Sequence, residues 1–279
     1  MLTVVFGAGG NVGRHVVSGL NSAGVQVRSI VRRPSSAGLP VGADTVVADL
    51  EKPETHAPAL RNAHSVFLYA RPTGVEEFVQ AAESAGVQHI VLLSSIAVMD
   101  VESSSSPAAW LHSRVESALE RSTLAWTFIR PGMFATNSLW SWQRPIREAR
   151  TVRLPYPDAM TAPVHEMDVA ALAVAALTDP THRGRAYAIS GPEALTLSRQ
   201  VRHIGDALGR DITVEHSSVD EVAAELAESM SPFVAQAVLA GWKVAATTPP
   251  PPPTPITSIL GCPARTFAEW ARDHVADFR

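Results

Sequence analysis

The first candidate for chemistry is a glycine-rich turn near the start of the chain. The segment Gly7-Ala8-Gly9-Gly10-Asn11-Val12-Gly13 follows an apolar run and precedes a helical pattern of apolar residues. Its spacing fits G-x-x-G-x-x-G, whose glycines allow a tight bend, close backbone approach to a pyrophosphate, and packing of the next helix. The helix N-terminus then offers N–H groups and a positive dipole to the phosphates. The segment predicts a dinucleotide-binding turn with contacts from Gly7, Gly9, Gly10, Asn11, Val12 and Gly13.

Two arginines at the end of the second predicted strand bear on the choice between NAD and NADP. An acidic side chain at this place hydrogen-bonds a free ribose 2′-hydroxyl and would repel a 2′-phosphate. Arg32 and Arg33 stand there instead, and guanidinium groups bind phosphate. The pair favours NADP(H), although a solvated surface pair would have the same sequence. Asp49, after the third strand, could accept a hydrogen bond from adenine or cap its own loop. The predicted cofactor contacts are completed by Leu50, Ala70 and Arg71.

Alternating strands and helices are needed to bring these residues to one edge of a sheet. Apolar runs predict strands at residues 2–6, 25–31, 45–47, 65–68, 89–93 and 125–129. Helical patterns fall between them, after residue 12 and at 54–60, 74–85 and 107–121. Such an order indicates βαβ units. The predicted fold class is therefore α/β, a Rossmann doubly wound parallel sheet with a smaller C-terminal substrate lobe.

The pattern becomes less regular after Pro131. Residues 133–163 are rich in Trp, Pro and Arg and predict a pocket-covering region, after which Asp168 is expected to cap an Ala-rich helix. A strand is predicted at 186–189 and later helices at 198–208, 219–228, 233–239 and 265–275. The prolines at 249–253 favour a stiff, extended spacer. We expect an NADP(H)-binding core at 1–131 and a substrate-binding lobe and lid at 132–279, with 164–190 returning to the core.

Composition excludes several classes of protein. The 279 residues carry a net charge of −4 with no basic run, which argues against a nucleic-acid surface. Cys262 is the single cysteine, so no internal disulfide can form. Because cysteines are lacking and the histidines have no metal-ligand spacing, we expect no metal. Because the first residues predict an apolar strand without a charged segment before it, we expect no targeting segment, and the longest apolar stretch, 169–177, is too short to span a membrane. The expectation is a cytoplasmic monomer or homodimer that acts on a small molecule and binds neither membrane nor nucleic acid.

Five segments resemble the NmrA-like, atypical short-chain dehydrogenase/reductase (SDR) family, especially its actinobacterial members. They are Val5-Phe6-Gly7-Ala8-Gly9-Gly10-Asn11-Val12-Gly13, Trp126-Thr127-Phe128-Ile129-Arg130-Pro131-Gly132, Ala162-Pro163-Val164-His165-Glu166-Met167-Asp168, Ser190-Gly191-Pro192-Glu193 and Ala264-Arg265-Thr266-Phe267-Ala268-Glu269-Trp270. The resemblance covers essentially the whole chain, and it implies a Rossmann core, a smaller C-terminal lobe and a substrate cleft between them. It also implies that Ser94, Ser95 and Pro131 lie near the nicotinamide. The serines could equally be hydrogen-bonding strand ends and the proline a turn former.

Ordinary SDR enzymes use a serine and a Tyr-x-x-x-Lys pair, whose tyrosine exchanges a proton with the substrate oxygen. The residues four places after Tyr69, Tyr156 and Tyr187 are Thr73, Met160 and Gly191, so the chain has no such pair. An alignment on Glu116 puts Ala108, His112 and Ile96 at the tyrosine, lysine and serine positions. His112 could donate a proton or bind the nicotinamide ribose, or it could be structural. Ser95 and His112 are thus the catalytic candidates.

A set of mainly aromatic and apolar residues could line a flat substrate cleft. Its members are Ile96, Trp110, Met133, Phe134, Trp140 and Trp142, with His165 expected on the substrate side. At the same spacing the apolar members could be ordinary core residues, and His165 could be a turn histidine bonded to backbone.

Two functions fit these observations. The first is an NADPH-dependent reductase whose proton comes from water, His112 or a phenol beside the substrate carbonyl. Such a phenol favours an aromatic polyketide as the substrate. Some atypical SDR ketoreductases of polyketide antibiotic pathways, including those of angucyclinone type, also lack the Tyr-Lys pair. A quinone reductase is an alternative within the same reductase class. The second function is a non-enzymatic NADP(H) sensor, as NmrA itself is understood to be. The pair Arg32 and Arg33 favours the reductase, because the phosphorylated cofactor suits reduction.

Overall fold

The computed structural model describes residues 1–33, 44–99, 107–248, 250 and 256–279. The chain forms two compact units. The first comprises Met1–Gly132, Glu166–Ile189 and Ile256–Cys262, and the second comprises Met133–His165, Ser190–Pro255 and Pro263–Arg279. The predicted proline spacer lies outside the described residues except for Pro250.

A seven-stranded parallel sheet forms the centre of the first unit. Its strands are β1 (Leu2–Phe6), β2 (Gln26–Val31), β3 (Asp44–Val47), β4 (Ser65–Tyr69), β5 (His89–Leu93), β6 (Ala125–Pro131) and β9 (Arg185–Ile189), in the order β3-β2-β1-β4-β5-β6-β9. All five residues of β1 are buried, as expected for a strand covered on both faces. The order reverses direction between β1 and β4, the place where α/β folds bind ligands outside the strand ends.

Helices cover this sheet. They are α1 (Gly13–Ser22), α2 (His56–Leu60), α3 (Val75–Ser84), α4 (Pro107–Glu120), α6 (Glu166–Thr178) and α10 (Ile256–Leu260). Helix α1 packs against α6, and α3 contacts both α2 and α4. The predicted α/β fold with a doubly wound parallel sheet is thereby confirmed.

The second unit has its own hydrophobic core. Two short strand pairs lie in it: β7 (Thr151–Leu154) is parallel to β11 (Thr213–His216), and β8 (Met160–Thr161) is antiparallel to β10 (Leu195–Thr196). The helices are α5 (Asn137–Glu148), α7 (Leu197–Leu208), α8 (Val219–Ala227), α9 (Pro232–Thr247) and α11 (Phe267–Asp273). Trp142, Trp242, Phe267 and Trp270 are among the buried core residues. That this unit binds substrate stays a prediction.

Three sequence-based expectations about elements need correction. Asp168 does not cap α6, because the helix begins at Glu166 and Asp168 lies in its first turn, where a carboxylate is favoured by the helix dipole. Residues 133–163 are not merely irregular, since they contain α5, β7 and β8. The helix predicted at 233–239 runs on to Thr247. No helix in the described part of the chain is long and apolar enough to cross a bilayer.

Candidate functional site

The glycine turn sits between β1 and α1, and its close backbone contacts explain the glycine spacing. Gly7 has φ +70°, which favours glycine, and its carbonyl oxygen accepts a hydrogen bond of 2.8 Å from the Gly10 amide. A Cβ atom on Gly13 would lie only 2.1 Å from that same carbonyl oxygen. Helix α1 can therefore approach the turn this closely only with glycine at residue 13.

The N-terminus of α1 has the properties of an anion site. Val12 occupies the N-cap position and gives no side-chain cap, and the first helical turn contains no acidic residue. The amides of Arg14 and His15 are already used, since they donate to the carbonyl oxygens of Gly10 and Val12. The amides of Asn11, Val12 and Gly13 donate to no residue that the structure describes, so they are available to a phosphate. These features fit a bound pyrophosphate, as predicted for Gly7 to Gly13.

The ends of β2, β3 and β4 bring charged side chains to the same edge of the sheet. Arg32 and Arg33 are exposed directly after β2. The carboxylate of Asp49 accepts a hydrogen bond of 3.1 Å from the Glu51 amide, so it braces its own loop. Arg71 makes an ion pair of 2.6 Å with Glu51. The side chain of Leu50 is buried in the core, and Ala70 is half-buried directly after β4. Their contacts with the cofactor stay predictions.

Tyr69, the last residue of β4, joins this edge, although the sequence pointed to it only as a tyrosine without a lysine partner. The register pairs Val5 with Phe67, so two residues further on Gly7 comes alongside Tyr69. A Cβ atom on Gly7 would lie 3.1 Å from ring carbon Cδ1 of Tyr69. The sequence signal that could have found it is its place directly after an apolar strand, but the adjacency of β1 and β4 is needed as well.

At the end of β5, Ser94 is hydrogen-bonded to the buried carboxylate of Glu116. Ser94 Oγ donates to Glu116 Oε1 at 2.5 Å, and Arg130 grips the same carboxylate through Nε at 2.9 Å and Nη2 at 2.6 Å. Only 5% of Glu116 is exposed. The hydrogen bonds that Arg130 donates to Glu116 raise the pKa of Arg130, which stays charged. Ser94 and Glu116 therefore hold β5, β6 and α4 together, and the serine hydroxyl is committed to that network.

The two catalytic candidates, Ser95 and His112, are poorly equipped to deliver a proton. Ser95 Oγ accepts a hydrogen bond of 3.2 Å from the Ala97 amide and so caps a short 3-10 turn. His112 is half-buried on α4, and its Nδ1 is buried with no hydrogen-bond partner in the described part of the chain. Burial lowers the pKa of His112, against a smaller opposing effect of Glu116. The imidazole is therefore neutral near pH 7.

Comparison with known proteins decides the family. A family model described as NAD(P)H-binding matches residues 7–180. The chain belongs to this NAD(P)H-binding family. The match confirms an NAD(P)H cofactor and supports the resemblance to NmrA-like, atypical SDR proteins.

Two relatives that match this NAD(P)H-binding protein along nearly its whole length are reductases by name. It is 38% identical to the (4-alkanoyl-5-oxo-2,5-dihydrofuran-3-yl)methyl phosphate reductase of Streptomyces griseus over 99% of each chain. It is 30% identical to the NAD(P)H azoreductase of Xenophilus azovorans, again over 99% of each chain. Among solved structures, the triphenylmethane reductase of Citrobacter sp. complexed with NADP(H) has a TM-score of 0.81 at 18% identity, covering 99% of this chain and 100% of that one. These relatives support an oxidoreductase, and the solved structure supports the fold.

The predicted substrate residues of the NAD(P)H-binding protein fall on both units. In the first unit Trp110 is 59% exposed and Ile96 half-buried. In the second unit Trp140 is 55% exposed, while Met133 and Phe134 are half-buried. Of the two alternatives for Trp142, cleft residue or core residue, the structure supports the core residue, since Trp142 is 3% exposed and stacks with Trp242. His165 is buried, with Nε2 3.4 Å from Asp273 Oδ2, and Pro131 is buried at the end of β6.

Proposed function

We propose that this protein is an NADPH-dependent reductase that transfers hydride to a conjugated, electron-poor acceptor without an essential acid from its own side chains. The observation that carries the proposal is how two serines after β5 are hydrogen-bonded and how His112 on α4 is charged. Ser94 is bound to Glu116, Ser95 caps a turn, and His112 is kept neutral by burial. The positions aligned with the SDR serine, tyrosine and lysine are occupied by Ile96, Ala108 and His112, and none of these three is a ready proton donor at pH 7.

An acceptor of this kind makes a protein acid dispensable. Hydride added to an isolated ketone leaves a localised alkoxide, which needs a donor or an oxyanion site in the transition state. Hydride added to a conjugated system leaves an anion spread over several atoms, which water can protonate afterwards. NADPH supplies the hydride, and the protein's contribution is to hold the two reactants in line.

The names of the relatives support this class. A 4-alkanoyl-5-oxo-2,5-dihydrofuran ring has a double bond conjugated with two carbonyls on the same carbon, an azo compound has a conjugated N=N bond, and a triphenylmethane compound has three aryl groups on one carbon. Quinones belong to the same class. So does a carbonyl on an aromatic, polyketide-type substrate, because a neighbouring phenol can hydrogen-bond the carbonyl and stabilise the developing charge.

Residues of the first unit have distinct tasks in this proposal. The amides of the glycine turn and of α1 hold the pyrophosphate, for which the uncapped helix N-terminus fits. Arg32 and Arg33 bind the 2′-phosphate. Ser94 and Pro131 are rigid contacts for the nicotinamide. The hydrogen bond to Glu116 fixes Ser94, and burial fixes Pro131.

Cofactor preference is tested by binding. Replacing Arg32 and Arg33 together by alanine is expected to weaken NADPH at least tenfold, about 1.4 kcal/mol, while NADH binding is spared. Arg121→Ala, which removes another exposed arginine of the first unit, is the matched control. Equal losses for NADPH and NADH would show that the pair is structural.

The reaction class is tested by turnover. NADPH oxidation is followed with a quinone, an azo dye and an acylbutenolide, with an isolated dialkyl ketone for comparison, and products are identified by mass spectrometry. The proposal expects turnover of conjugated acceptors and little of the isolated ketone; preference for the isolated ketone would refute it. Tight NADPH binding with no turnover of any acceptor would favour the second candidate, a non-enzymatic NADP(H) sensor, which the missing acid also fits.

A further inference from the structure

The hydroxyl of Tyr69 lies at the edge of the sheet proposed for the cofactor. The ring is half-buried against Gly7, and the phenol makes no hydrogen bond to any residue that the structure describes. Burial is the largest influence on the pKa of Tyr69 and raises it. The phenol is therefore protonated at neutral pH and able to donate a hydrogen bond.

Four charged side chains lie within electrostatic reach of this phenol. Arg32 and Arg71 lower the pKa of Tyr69, whereas Asp49 and Glu51 raise it. They come from the ends of β2, β3 and β4, so three loops converge on one tyrosine.

Three of the four charges are already engaged. Arg71 and Glu51 are paired with each other at 2.6 Å, and Asp49 accepts a hydrogen bond from the Glu51 amide. The guanidinium of Arg32 has no ion pair or hydrogen bond with a described residue. Among the described residues, the Arg32 guanidinium and the Tyr69 hydroxyl are thus donors of this edge without an acceptor, and such a pair suits an acceptor-rich, anionic group.

We propose that Tyr69 is a specificity residue, whose hydroxyl shares the 2′-phosphate of NADP(H) with Arg32 while its ring holds Gly7 of the glycine turn. A phosphate monoester offers several oxygens, so it can accept from both donors at once. A free 2′-hydroxyl has one oxygen and no charge, and it gains much less from either. This inference rests on the proposed preference for NADPH. It adds Tyr69 to Arg32 and Arg33 as a residue that distinguishes NADPH from NADH.

Tyr69→Phe tests the hydroxyl and keeps the ring against Gly7. The dissociation constants of NADPH and NADH are measured by fluorescence titration, and those of 2′,5′-ADP and 5′-AMP by calorimetry. We expect NADPH and 2′,5′-ADP to weaken about five- to tenfold, with NADH and 5′-AMP unchanged within twofold. Tyr156→Phe removes a half-buried phenol of the second unit and should change none of the four constants.

Two results would overturn the proposal. If Tyr69→Phe leaves the ratio of NADPH to NADH affinity unchanged, the hydroxyl does not bind the 2′-phosphate. If all four ligands weaken equally, the tyrosine only supports the turn. Neither result depends on an acceptor substrate, so failure of the reductase proposal is recognised separately, by absent turnover with NADPH binding intact. A wild-type preference for NADH would remove the basis of both the arginine assignment and this one.

Discussion

Single residues in the glycine turn are constrained by backbone contacts. The three glycines of the G-x-x-G-x-x-G spacing differ in how little room they have: a Cβ atom would lie 2.1 Å from the Gly7 carbonyl at residue 13, but 3.2 Å from it at residue 10. Gly13 is therefore required by packing whatever ligand is bound. Gly10, with an ordinary φ, is limited more by the approach of the ligand.

Gly13→Ala is expected to abolish measurable NADPH binding and to lower the melting temperature. A contact of 2.1 Å with backbone atoms cannot be relieved by a rotamer change, so α1 must move away from the turn and take its N-terminal amides with it. Gly10→Ala is the matched control and should retain the fold with a smaller loss of binding. Fluorescence titration and thermal unfolding report the two effects. Wild-type affinity in Gly13→Ala would show that the turn is not the pyrophosphate site.

His112→Ala is expected to keep most of kcat with a conjugated acceptor. A side chain that acts as the acid contributes ~10²–10⁴-fold, and a buried imidazole with a lowered pKa is not charged at pH 7. Ser95→Ala should behave in the same way. Initial rates with saturating NADPH provide the measurement. A thousandfold fall in kcat in His112→Ala, with fold and NADPH binding intact, would make His112 the acid.

At the scale of elements, α4 is fastened to the sheet by the buried Glu116. Its carboxylate accepts hydrogen bonds from Ser94, at the end of β5, and from Arg130, on β6. Glu116→Gln removes the charge and turns one accepting oxygen into a donor facing Arg130. Because Arg130 keeps some contact with water, we expect a loss of about 2–3 kcal/mol, below the ~3–5 kcal/mol of fully buried pairs. Urea unfolding measures it, and Glu120→Gln, on an exposed position of the same helix, is the control.

The strength of the local signal explains which elements the sequence could predict. The strands of the first unit are apolar runs bounded by glycine or polar residues, and their predicted limits differ little from β1 to β6. Helix α5 is not predicted, because Pro145 and two arginines within it hide its periodicity. The same helix shows why substrate residues are hard to predict: Trp140 is exposed and Trp142 is buried, yet nothing local says which face meets the core.

At the scale of the whole chain, pairings between distant segments set the limit of prediction. In the second unit β7 pairs with β11 about sixty residues later, and β8 with β10 through two residues each. Such short strands carry almost no pattern of their own. The role inferred for Tyr69 likewise depends on β4 lying beside β1, a property of strand order rather than of the residues around Tyr69.

The stability of the folded chain is expected to fall in mild acid because of His89, at the start of β5. The neutral ring fits its site, since Nε2 lies 2.9 Å from Thr127 Oγ1, which itself donates to the His182 carbonyl at 2.7 Å. Burial, and then the charges of Arg183, His182 and His64, lower the pKa of His89 to about 4. In the unfolded chain the pKa is ~6.5.

The sign of the effect follows from which state binds the proton. Above pH ~6.5 neither state is protonated at His89, and stability is unaffected. Below pH ~6.5 His89 is protonated in the unfolded chain but stays neutral in the folded chain. The free energy of unfolding therefore falls by ~1.4 kcal/mol per pH unit down to pH ~4, about 3 kcal/mol in all. His89→Gln, whose amide can still donate to Thr127, should remove this part of the slope. Urea unfolding of both proteins at pH 7.5, 6.0 and 5.0 tests it: parallel pH dependences would show that His89 is protonated in the folded protein as readily as in the unfolded one.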